Sequence, residues 1–114
     1  MEVQVKEFTT DALMQEVLEN RIKNTARVLK YCAEIEKQAK ESGDSRGMGF
    51  SYYYEGETYY VLNETEKMFR KMAEAISYLE ESMQWELIAR AYNLMGIVSI
   101  SKGNVSVAMD DYLM

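Results

Sequence analysis

Histidine and proline are both missing from this 114-residue chain, and cysteine occurs once. Without histidine the commonest general base and the commonest metal ligand are gone, so any chemistry falls to carboxylates and tyrosines. With Cys32 alone, no internal disulfide can form. Cys32 lies on the stripe Val28, Cys32, Ile35, Ala39, spaced as one helix face, which reads as a small buried residue rather than a reactive thiol. No apolar run approaches the roughly 18–20 residues that a membrane span needs. The longest, Leu94 to Ile100, is interrupted by Gly96 and Ser99. The N-terminus lacks the basic, apolar, small-residue order of a signal peptide, so the expectation is a cytoplasmic chain with no membrane partner.

Positive charge is also scarce. The net charge is −6 and uneven: residues 1–47 carry nine acids and eight bases, residues 48–114 ten acids and five bases. A negative chain with no Lys/Arg cluster suits phosphate backbones poorly, so no direct nucleic-acid partner is expected. The acidic pairs Glu55/Glu57, Glu80/Glu81 and Asp110/Asp111 are close in sequence and diverge on helices. Neither a phosphate-cradling glycine loop nor a nucleophile motif is present. The expectation is a chain that is not an enzyme and needs neither cofactor nor metal.

What remains is a helical pattern. Thr9 or Thr10 can cap a first helix over about 10–20, with Asp11 in its opening turn near the positive helix end. A second runs over about 22–42 and stops at Gly43. Asp44 or Ser45 opens a third over roughly 46–62. Asn63 with Glu66 has the form of a capping box before a fourth over about 64–82. A fifth over about 84–102 stops at Gly103, and Asn104 caps a sixth. Met68, Met72, Ala75 and Leu79 line one side of the fourth helix; Leu87, Ala91, Leu94, Met95 and Val98 line one side of the fifth. In the third, Phe50, Tyr52, Tyr53, Tyr54, Tyr59 and Tyr60 surround the axis, so that helix must be covered on several sides.

Two stretches repeat 40 residues apart. Tyr92-x2-Met95-Gly96-x2-Ser99, followed by Ala108-x3-Tyr112, parallels Tyr52-x2-Glu55-Gly56-x2-Tyr59, followed by Met68-x3-Met72-x2-Ala75. Such a period marks helical units that bury their apolar faces by stacking on neighbours. The pattern resembles the tetratricopeptide repeat, a helix–turn–helix unit of about 34 residues. Tyr92, Met95, Gly96, Ala108 and Tyr112 match its signature in a third unit, and Tyr52, Gly56, Tyr59 and Ala75 match in a second. Ala26 and Ala33 suggest the second helix of a first unit. The period is longer than usual, Glu55 stands where an apolar residue is customary, and the closing proline is missing. The resemblance implies one all-α domain over 1–114, built as a right-handed solenoid of six antiparallel helices in three hairpins, with units at about 10–43, 44–82 and 84–114.

The run Trp85-Glu86-Leu87-Ile88-Ala89-Arg90-Ala91-Tyr92-Asn93-Leu94-Met95-Gly96-Ile97, with Lys102-Gly103-Asn104-Val105, is similar to the N-terminal repeats of bacterial signalling proteins, particularly Firmicute diguanylate cyclases of the GGDEF type. That likeness implies a sensory or docking module that binds protein or peptide. Cyclase chemistry would belong to a further C-terminal domain, since none of its motif occurs here. The ending Asp110-Asp111-Tyr112-Leu113-Met114 carries no polar capping helix, which leads us to expect either a continuing array or a homodimer through the C-terminal helices.

By the same likeness, the first helix of each unit lines a concave groove. The groove-facing positions are then Phe50, Tyr53, Glu57 and Tyr60 in the second unit and Arg90, Asn93 and Ile97 in the third, a mixture suited to an extended peptide or an amphipathic helix. The same residues have plainer readings: the tyrosines as core, Arg90 as the partner of Glu86 one turn earlier, Asn93 as an amide bonded within the fold. Two other functions stay open, the peptide-binding repeat domain of a transcriptional regulator and a plain dimerising helical bundle. The first forty residues show no basic recognition helix, which weighs against the regulator.

Overall fold

Four tight turns divide the described part of the chain, residues 8–101 of a computed structural model, into five helices. They are α1 (Thr10–Asn20), α2 (Thr25–Ser42), α3 (Ser45–Val61), α4 (Thr65–Glu81) and α5 (Trp85–Ser101), with no strand among the described residues. The sixth helix expected after Gly103 lies outside them.

Side-chain caps set three of the starts. Thr9 accepts from the Ala12 amide, Asn24 from Arg27 and Asp44 from Gly47, each at 3.1 Å. This satisfies donors that the first helical turn leaves free. The second helix begins at Thr25, not near 22, because Ile22 is left-handed at φ 57° and Asn24 takes the cap. The capping box expected from Asn63 and Glu66 does not form: Glu64 precedes α4 without a side-chain cap bond. Asn63 instead ends α3 in a left-handed conformation at φ 60°, which an asparagine tolerates.

The turns recur like the sequence. Left-handed residues stand at Ile22, Gly43, Asn63 and Met83. At the last three, the following amide bonds the carbonyl five residues back: Asp44 to Ala39 at 2.8 Å, Glu64 to Tyr59 and Gln84 to Leu79 at 2.9 Å. This is the Schellman closure, which reverses the chain while pairing carbonyls orphaned at the helix end.

Burial recurs at the same interval. In α2 the fully buried positions are Val28, Cys32, Ile35 and Ala39; in α4 they are Met68, Met72, Ala75 and Leu79, each 40 residues on. The fully buried Ser51 of α3 likewise corresponds to Ala91 of α5. Ala26 and Ala33 are exposed, so Val28 rather than Ala26 is the counterpart of Met68. Each large apolar side chain in these stripes contributes about 1.5–3 kcal/mol by leaving water.

Each helix packs on the next, and α3 touches α1 and α5 as well as α2 and α4. Gly47 to Thr58 are therefore buried around the whole circumference of α3, the covering that its encircling tyrosines call for. Two glycines let α4 approach: Gly49 lies against Leu79 and Gly56 against Met72, closer than a side chain would permit.

Candidate functional site

The contacts of α3 with α1 and α5 bring the odd-numbered helices together along one side. There Phe50 stacks on Tyr54 at 4.7 Å between ring centroids, and Tyr53 meets Tyr54 edge-on at 4.8 Å. Arg21, just past the end of α1, donates Nε to Glu57 Oε1 at 3.0 Å and Nη2 to Oε2 at 2.5 Å. Its guanidinium also lies 5.5 Å from the Tyr54 ring centroid. The bidentate bond to Glu57 raises the Arg21 pKa further, keeping the charge in place. Burial pushes the Tyr53 phenol up to about 12, with the Glu57 carboxylate adding to the shift. Burial raises Tyr54 too, against the pull of Arg21. Both phenols stay protonated donors at neutral pH.

The seven groove candidates separate into two groups. Phe50, Tyr53 and Glu57 are buried and form a floor beneath Arg21, with Tyr53 only 1% exposed. Arg90, Asn93, Ile97 and Tyr60 are exposed. The Arg90 charge reaches both Tyr53 and Tyr54, while its Nη2 donates to Glu86 Oε1 at 2.7 Å, the helical pair that its spacing allows. Asn93 and Ile97 follow on α5 in the open. Tyr60 is not part of the aromatic floor: it borders a cavity of about 60 Å³ with Asn63, Met68, Val98 and Ser101 at the α3–α4 turn. Tyr54 and Arg21 were not among the expected groove residues. Tyr54 follows Phe50 by one helical turn and was legible on that ground; Arg21 is 36 residues from Glu57 and no local pattern announces it.

On the side of α3 that faces α2 and α4 lies a second polar cluster, as the divergence of Glu55 from Glu57 requires. Glu55 is 8% exposed, and Lys71 Nζ of α4 approaches its Oε1 at 3.5 Å. The same ammonium lies 4.7 Å from the Tyr52 ring centroid, and Tyr52 packs on Tyr78 at 5.7 Å. Burial pushes the Glu55 carboxyl up to about 8, helped by the adjacent Glu36 carboxylate, against Lys71. Neighbouring Cys32 is buried, and burial, then the charges of Glu55 and Glu36, lift its thiol well above the usual range. A thiol in that setting is a poor nucleophile.

Among the described residues, no three His, Cys, Asp or Glu side chains come together as a metal site. Nor is any described helix long and apolar enough to cross a membrane. No protein-family model, curated protein or solved structure matches the chain.

Proposed function

We propose that this chain is a non-catalytic docking module, a tetratricopeptide-like right-handed solenoid that serves as the sensory or peptide-binding part of a bacterial signalling protein. The observation that carries this reading is the 40-residue recurrence of fully buried positions between α2 and α4, matched by left-handed turn residues at Gly43 and Met83. Units that repeat in burial as well as in sequence stack in register, and stacked hairpins present their first helices on one wall. On that wall the tyrosine floor is buried and Arg21 is paired with Glu57, while Arg90, Asn93 and Ile97 supply a cation, an amide and an apolar surface to a visitor. An extended peptide or an amphipathic helix fits that combination. A diguanylate cyclase domain fed by this module would be a separate part of the signalling protein.

The test is selection of random displayed peptides on the immobilised chain. Binders should emerge whose affinity falls about tenfold or more, about 1.4 kcal/mol, on Asn93→Ala or Ile97→Ala. Both side chains are exposed, so the melting temperature should not change. Failure to enrich binders, or binders indifferent to both substitutions, would overturn the assignment of this wall.

A further inference from the structure

Glu36 and Glu55 meet across the boundary between two hairpins, Glu36 on the second helix of one and Glu55 on the first helix of the next. Glu36 Oε2 and Glu55 Oε1 are both buried and neither makes a hydrogen bond, the Lys71 ammonium standing off at 3.5 Å from Glu55 Oε1. Two ionised carboxylates cannot supply each other with one, whereas a single proton between them serves both. Lys71 of α4 is the cation that opposes this at Glu55, and it feels the charges of Glu36 and Glu74 as well. Tyr52, Cys32 and Tyr78 complete the surroundings from α3, α2 and α4. From the α1 and α5 sides the charged groups are Arg21 and Arg90, which with Glu57 of α3 act on Tyr53 and Tyr54.

We propose that Glu36 and Glu55 share one proton at the α2–α3 joint, and that its loss loosens α2 against the α3–α4 hairpin. On the stacked-hairpin reading proposed above, on which this consequence rests, the joint sets the curvature of the array, so this proton ties the shape of the inner wall to pH. The direction follows from linkage. Glu55 in the packed state holds its proton up to about 8, against an ordinary 4.5 once the joint opens. The stabilisation is therefore complete below the ordinary carboxyl range and is lost as the pH rises toward 8. With one proton released on opening, the opening equilibrium rises by up to about tenfold per pH unit within that window.

Carbon-13 titration of the glutamate carboxyls in the intact chain is the primary measurement. One glutamate should titrate far above the rest. That titration should vanish in Glu55→Gln and move down toward the ordinary range in Glu36→Gln. Amide exchange in α2, corrected for its intrinsic pH dependence, should accelerate between pH 6 and 8 in the wild type and lose this step in both variants. All glutamates of the wild type titrating in the ordinary range would overturn the proposal without any variant having to fold. So would a high titration that Glu36→Gln leaves in place.

Discussion

A methyl group added at Gly49 and one added at Gly56 should have different consequences, although both glycines face α4 from α3. At Gly49 the new carbon would stand 2.8 Å from Leu79 Cδ2 and 3.1 Å from both Leu79 Cγ and the Leu79 backbone nitrogen. Leu79 is fully buried within α4, so relief requires the α4 backbone to move. At Gly56 the nearest atoms are Met72 Cε at 2.9 Å, Sδ at 3.0 Å and Cγ at 3.2 Å, the flexible end of an unbranched side chain. In an unobstructed helix, glycine to alanine stabilises by about 0.8–1.0 kcal/mol. Overpacking a filled core costs about 1–3 kcal/mol. At Gly49 the cost exceeds the gain, and Gly49→Ala should destabilise by about 1 kcal/mol. At Gly56 the thioether swings aside, and Gly56→Ala should fall within about 0.5 kcal/mol of wild type. Urea unfolding followed by far-ultraviolet circular dichroism reads both. Leu79→Ala supplies the control: it removes the obstructing branch but not the backbone nitrogen, so Gly49→Ala in that background should regain part of the ordinary helical benefit, a coupling of about 1 kcal/mol. If Gly49→Ala stabilises the wild type as much as it does the Leu79→Ala chain, the close approach of α4 is wrong.

Two further substitutions probe the polar wall and the turns. Arg21→Ala strands the Glu57 carboxylate, whose side chain is 8% exposed, and should cost about 2 kcal/mol; this is below the figure of about 3–5 for a fully sealed pair, because Arg21 itself is 36% exposed. Adding Glu57→Gln should recover part of that loss in the same urea titration, and no recovery would mean that Arg21 acts by packing alone. Met83→Gly should stabilise by about 1 kcal/mol, since Met83 is left-handed at φ 57° and 69% exposed, leaving backbone strain to be relieved and little packing to lose. A lower urea midpoint for Met83→Gly would show that its side chain contributes a contact of its own.

The helices were readable because their boundaries are chemical: Thr9 and Asp44 are good caps, Gly43 is a good stop, and the stripes through Cys32 and Met72 have helical spacing. The misreadings have equally local causes. Asn63 suits a helix start and a left-handed helix end, and the sequence offers no means of choosing between them. Matching the first unit on alanine identity at Ala26 placed it two residues away from the stripe that begins at Val28. Met83 and Ile22 occupy turn positions where neither residue type is favoured, so nothing marked them. Glu55 stood out as a carboxylate in an apolar position, but its reason lies on α2 and α4, at Glu36 and Lys71. Tyrosine on the leading helix of a unit serves equally as floor or as ligand contact. Only the packing of α1 and α5 around α3 placed Tyr53 in the floor.

A helix buried around its entire girth has little independent existence in water, and α3 is such a helix. Stripping α1 and α2 from one side, or α4 and α5 from the other, would expose its aromatic rings to water. Ordinary repeat arrays can fray one unit at a time from their ends. Here the central rod makes both ends mutually dependent, so the described helices should melt in a single concerted step, without a half-folded plateau.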